Sequence, residues 1–155
     1  MLSEHQIVQT NAEQAAIIRL TIPGSDMPKV FGPAIGELLT TLGRQSIEPI
    51  GAVFAHHVKL PSDVFDFELG IKVLSPVMPT GRVEPGELPA RRVARAIHTG
   101  PYEGLPAAWD AFIAWMDANG HKGDSSLWEL YSVGPQSTPD SGEWRTELNR
   151  PLLDR

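Results

Sequence analysis

Residues 90–120 read ARRVARAIHTGPYEGLPAAWDAFIAWMDANG, and the order of parts within them decides the fold. A strand-like run, ARRVARAIHTG (90–100), ends in a glycine. The run LPAAWDAFIAWMDANG (105–120) follows, with Trp109, Phe112, Ile113 and Met116 at i, i+3, i+4 and i+7. That spacing lays one apolar stripe along a helix. Pro106 suits the first helical turn, and Asn119-Gly120 supplies a C-terminal stop. Two further strand candidates come next, SLWELYSV (126–133) and EWRTELN (143–149), joined by the turn-rich GPQSTPDSG.

The first half of the chain has the same order. The strand candidate AAIIRLTIPG (15–24) also ends in a glycine and leads into VFGPAIGELLTTLGRQ (30–45). There Ile35, Leu38, Leu39 and Leu42 repeat the i, i+3, i+4, i+7 stripe. GAVFAHHV (51–58) and FDFELGIKV (65–73) are the paired strands, joined by KLPSD. The chain therefore reads as β-α-β-β twice, with repeat one over about 7–74 and repeat two over about 90–153. Residues 75–89, SPVMPTGRVEPGELP, read as a linker in which RVEP adds a short strand. Neither unit has enough strands to be stable alone, so the two should share one core. The expectation is a single α+β domain over 1–155. In it, tandem βαββ units form one pseudo-two-fold antiparallel sheet with two packed helices and a central cleft.

Composition narrows the function. Hydrophobic residues make up 41% and charged residues 21% of the 155, which suits a globular domain with a sizeable core. No apolar stretch is long enough to span a bilayer, and the N-terminal MLSEHQIVQT has no signal-peptide core, so a cytoplasmic location without membrane contact is expected. The absence of cysteine removes thiolate chemistry and cysteine-based zinc sites. A formal net charge of −6 argues against a nucleic-acid surface, and no segment is left for a DNA-binding helix-turn-helix, so no direct DNA binding is expected. Arg91, Arg92 and Arg95 read as solvated strand charge or ion pairing. His56 and His57 point to opposite faces of a strand and cannot easily share one ion; no metal or cofactor is expected. No HExxH, GxSxG or phosphate-cradling glycine loop is present.

One residue conflicts with its surroundings. Glu129 lies within LWELYSV, where one strand face carries Leu127, Glu129, Tyr131 and Val133 and the other Trp128, Leu130 and Ser132. Pairing with Arg95 or Arg145, or a solvated edge, is the plain explanation of such a carboxylate. Both faces are apolar or aromatic, however, and a buried carboxylate either raises its pKa or finds a cation or hydrogen-bond donors. A pocket for a flat cationic ligand meets that requirement and is favoured. Matching the helix stripes sets Ala55 against Glu129 and His57 against Tyr131, so the two units differ where the polar groups lie. Tyr131 and Trp144 are each core or interface aromatics when judged singly, while Tyr102, which opens a loop after a strand, either overhangs a pocket or caps the helix entry. Trp109 is assigned to the core stripe, while His5, His98 and His121 are scattered. Glu68 and Glu147 occupy matching places in the last strand of each unit.

ELPARRVARAIHTGPYEGLPAAWDAFIAWMDANG, then LWELYSV, then PDSGEWRTELNRPL, resembles the GyrI-like small-molecule-binding domain. That domain also serves as the effector-binding half of some AraC-type and MerR-type transcription regulators. PIGAVFAHHV and DFELGIKV are similar to the family's more variable first repeat, so the resemblance covers essentially the whole chain. It implies a stand-alone tandem βαββ protein whose central cleft binds hydrophobic, often cationic aromatic compounds. Glu129 would be the cleft acid, with Tyr131, Trp144 and Tyr102 the cleft aromatics. His57 stands where relatives often carry a tyrosine, and would act as a polar rim or donor. Some stand-alone relatives resemble hydrolases of strained, DNA-alkylating natural products, which rely on a cleft glutamate. Three functions follow: capture of a small ligand, hydrolysis of an electrophilic one with Glu129 as general base or acid, or interaction with a protein partner or a second copy of the chain.

Overall fold

The computed structural model describes residues 2–135 and 137–153; Gln136, within the expected 134–142 turn, lies outside them, as do the chain ends of the expected 1–155 domain. The elements run β1 (Gln6–Gln9), β2 (Glu13–Pro23), α1 (Met27–Arg44), β3 (Pro49–His57), β4 (Val64–Val73), β5 (Val83–Leu88), β6 (Arg92–Thr99), α2 (Leu105–Ala118), β7 (Leu127–Val133) and β8 (Arg145–Pro151). All strands join one antiparallel sheet in the order β1-β6-β8-β7-β3-β4-β2-β5. The strand pattern and both helices are those read from the sequence. The 75–89 segment is more than a linker, because β5 occupies its second half. β1 was not foreseen, being short and half polar.

Matching β1 with β5, β2 with β6, β3 with β7 and β4 with β8 makes the sheet order identical from either end. The central pair is β3 and β7, and there Ala55 lies directly opposite Glu129. These are the residues that the two helix stripes bring into correspondence. A pseudo-dyad through an antiparallel pair can set only one residue against its own equivalent, so the axis passes between Ala55 and Glu129. Glu68 and Glu147 flank their units alike, since their neighbours Leu69 and Leu148 pair with Ala55 and Glu129.

Two links fix the curvature. Residues 10–12 carry the chain from β1 at one sheet edge to β2 near the other, and residues 89–91 carry it from β5 back to β6. In a flat sheet each would cross six strand spacings, about 29 Å at about 4.8 Å each. A fully extended segment from Gln9 to Glu13 reaches only about 14 Å. The sheet must therefore curl until its ends approach. The links touch each other: Thr10 N–H donates to Arg91 O at 2.8 Å, and the Thr10 hydroxyl lies 2.9 Å from Pro89 O while accepting from Arg91 N–H at 2.9 Å.

Curling gives the sheet two buried faces. On the concave one, Ala15, Ile17, Phe54, Leu88, Val93 and Trp128 cluster without any helix. On the convex one, α1 buries Ala34, Ile35, Leu38 and Leu42 against Ile18, Leu69 and Phe67. Leu39, assigned to that stripe from its spacing, is 43% exposed, because the stripe needed on this helix is narrower. The second helix buries Trp109, Phe112 and Met116 over Ala94, Ala96 and Leu148. It ends as read: Gly120 takes φ +74°, and His121 N–H reaches back to Met116 O at 2.9 Å. Thr10→Val removes the hydroxyl that joins the links and should lower stability by about 1–2 kcal/mol, read as a lower thermal midpoint. An unchanged midpoint would mean that the links cross without supporting each other.

Candidate functional site

One row of side chains crosses the convex face over seven of the eight strands, from β5 to β6: Val83, Ile18, Leu69, Ala55, Glu129, Leu148 and Ala96. Six are aliphatic and at most 1% exposed; the seventh is the glutamate, at 8%. An ionised carboxylate in such a row is strongly disfavoured without donors. Two are provided. Trp109 Nε1–H on α2 donates to Glu129 Oε2 at 2.7 Å, and the Tyr131 hydroxyl donates to Oε1 at 2.7 Å. The plain ion-pair reading is not met: Arg95 pairs instead with Glu147 and Asn149.

Burial pushes the Glu129 carboxyl above its ordinary range, and outweighs the opposing effect of the Tyr131 and Trp109 donors and of His98. Burial and the nearby carboxylate likewise raise Tyr131 well above its usual value, and raise Tyr102. Both hydroxyls thus stay protonated.

Half-buried aromatic rings lead outward from the acid. Tyr131 meets Phe31 of α1 edge-on at 5.2 Å and Tyr102 at 5.5 Å, and Tyr102 packs on Trp144 at 4.8 Å. Gly100, at φ +135°, turns the chain out of β6 ahead of Tyr102, and its N–H donates to Trp144 O at 2.8 Å. The structure thus brings Glu129, Tyr131, Tyr102 and Trp144 together, as one continuous set. His57 stands apart from them. It shares their sheet face, but pairs with Leu127, stacks on Phe67 at 5.1 Å and meets Phe65 edge-on at 5.4 Å. At 3% exposure it is interior and forms no rim.

A sequence profile of the GyrI-like small-molecule-binding domain matches residues 3–152. The chain belongs to the GyrI-like family. Among solved structures, the EcmrR C-terminal domain superposes with a TM-score of 0.87 at 23% identity, covering 100% of both chains. EcmrR in its DNA complex gives 0.83 at 22% identity over 96% of this chain, which spans only 57% of that one. SAV2435 bound to tetraphenylphosphonium gives 0.69 at 12% identity, covering 96% of this chain and 93% of the other. At these identities the likeness is one of fold. No curated protein matches the sequence in direct comparison.

Two residues of this GyrI-like domain escaped the sequence reading. Trp109 was placed in the core, which it is, but its indole N–H is also a donor to Glu129. The signal was available, since a tryptophan in a buried stripe needs an acceptor for that N–H. His98 is 6% exposed, with Nε2 3.2 Å from Pro101 O, and it acts on Glu129 through space. Nothing in its sequence position signalled this. Among the described residues no group of acidic and histidine side chains is arranged to hold a metal, and no helix is long and apolar enough to cross a membrane.

The two buried titratable groups should pull stability in opposite directions with pH. Glu129 is raised, so its contribution is full below its unfolded value of about 4.5 and declines as pH climbs through the elevated native value. His57 is lowered from 6.5 to about 4, chiefly by burial, so its contribution is full above 6.5 and is lost as pH falls toward 4. That loss amounts to about 3 kcal/mol. In urea titrations, Glu129→Gln should gain on the wild type as pH rises above 4.5, whereas His57→Phe should flatten the profile between 6.5 and 4. A Glu129→Gln difference independent of pH would refute the assignment of burial as the dominant cause.

Proposed function

We propose that this GyrI-like domain captures hydrophobic, cationic aromatic small molecules, with Glu129 as counter-charge and Tyr131, Tyr102 and Trp144 as stacking surfaces. The observation that carries the reading is the buried carboxylate on the pseudo-dyad, where the equivalent residue is Ala55. The first unit carries a small apolar group at that point, so packing alone does not call for the acid. A cation brought to Glu129 offsets the desolvation that raises its pKa. Aromatic rings around it supply the contact that cations prefer, face to face with a π system. Access comes through the half-buried rings, because Tyr131, Tyr102, Trp144 and Phe31 are all partly exposed while Glu129 is not.

Tetraphenylphosphonium, the compound bound to SAV2435, is a suitable probe. The wild type should bind it, Glu129→Gln should bind at least about tenfold more weakly, and wild-type affinity should rise with pH as the acid ionises. Equal affinity in both proteins would remove the counter-charge role.

A second reading rests on the raised carboxyl and the hydroxyl bonded to it. A carboxyl with elevated pKa in an apolar site suits general acid–base chemistry, here hydrolysis of an electrophilic aromatic ligand by Glu129. Incubating electrophilic aromatic compounds with the protein and following water addition by mass spectrometry separates the two: turnover lost in Glu129→Gln supports hydrolysis, and recovery of every compound unchanged supports capture alone.

A further inference from the structure

The two halves of the site are equivalent in backbone and unlike in chemistry. In the second unit, the Tyr131 hydroxyl has its partner one strand position away, in Glu129. The equivalent pair in the first unit is His57 and Ala55, and Ala55 offers no polar atom. Thr146, opposite Tyr131, becomes Phe67 opposite His57, and Trp144, two residues before Thr146, becomes Phe65. The histidine is thus enclosed by two aromatic rings at 5.1 and 5.4 Å. Its Nδ1 is buried and finds no hydrogen-bond partner among the described residues. An unmet polar atom in an interior costs about 1–3 kcal/mol, which a phenylalanine at this position would avoid.

The unmet nitrogen lies on the same sheet face as the acid. Ala55 faces Glu129 directly, and His57 is the next residue along β3 on that face. The Cα atoms of His57 and Glu129 are therefore about 8 Å apart, two residues along the strand and one strand across. A ligand ring lying on this face beside Glu129 covers a span of that order along the strands. On the proposed capture of a cationic aromatic compound, on which this step rests, the ligand would extend from Glu129 toward the first unit and meet the histidine.

We infer that His57 is a specificity-determining residue, and that the preferred ligands are aromatic cations carrying a hydroxyl one ring away from the cationic centre. A hydroxyl both donates and accepts, so it satisfies Nδ1 in either neutral tautomer. The site is then bipolar, with charge recognition at Glu129 in one unit and hydrogen-bond recognition at His57 in the other. With alanine in unit one where unit two has the acid, the histidine has no counterpart of the carboxylate that Tyr131 bonds.

The test compares tetraphenylphosphonium with (4-hydroxyphenyl)triphenylphosphonium by calorimetry on the wild type, His57→Phe and Glu129→Gln. The hydroxylated cation should bind the wild type about tenfold more tightly than its parent, the value of one buried hydrogen bond. His57→Phe should bind the two cations equally, whatever its affinity for the parent. In the wild type, the ring nitrogens of His57 should shift in histidine-labelled NMR with the hydroxylated ligand and not with the parent. That measurement stands even where the variant folds poorly. Equal binding of the two cations by the wild type, or a preference that survives in His57→Phe, would overturn the inference. If the parent binds in a Glu129-dependent way and the hydroxyl adds nothing, only the His57 role falls. If the parent fails to bind, or binds Glu129→Gln as well as the wild type, the counter-charge reading falls and takes this one with it.

Discussion

Two three-residue links, 10–12 and 89–91, are too short to cross a flat eight-stranded sheet, and most of the architecture follows from that. Each reaches only about half the distance that six strand spacings demand, so the sheet must curl until its ends meet. Curling shields the concave face, which no helix covers, and lets Phe54 and Trp128 bury there almost completely. The helices are left on the convex face, one over each unit, with the two central strands between them. The site lies along those strands because each helix packs mainly on its own half.

That arrangement determines what a residue on the axis can do. Ala55 and Glu129 are covered neither wholly by one helix nor wholly by the other. Trp109 of α2 reaches the acid by its indole N–H, while Phe31 of α1 reaches only the Tyr131 ring. The carboxylate is thus tied to one helix by a charge-assisted bond and to the other only through an aromatic contact. Bonds of the first kind contribute about 1.5–3 kcal/mol and the second about 0.5–1.5 kcal/mol. The α1 side is the weaker one.

Much of this was legible in the residues, and the reasons are local. The stripes of α1 and α2, the period-two strands and the glycine stops are short-range signals, and they aligned Ala55 with Glu129 before any pairing was known. The curl was not legible, because it depends on which edge each link serves, and pairing partners far apart in sequence decide that. β1 was missed for the same reason: QIVQ becomes a strand only by pairing with β6. Leu39 carried the right spacing but lies where α1 has already turned toward solvent. For the site, the conflict between Glu129 and its neighbours was readable, and so was the need of Trp109 for an acceptor, but not that the two meet. Trp109 is twenty residues away from Glu129 in the chain, and only the packing of α2 on the sheet brings its N–H to the carboxylate.

The duplicated frame also explains why the polar groups could diverge without loss of the fold. Each half packs its own helix on the convex face, and a residue on the axis is flanked by aliphatic residues from both halves. Leu69 and Ile18 back Ala55 on one flank, and Leu148 and Ala96 back Glu129 on the other. A carboxylate at the centre of a single small sheet would lack that support. Here the row on either side is nearly inaccessible to water, and it frames a central carboxyl whose ionised form burial disfavours. The same backing keeps His57 interior between Phe65 and Phe67 with a nitrogen unmet. Both groups that burial disfavours as ions, Glu129 and His57, thus sit on the two central strands, one in each unit.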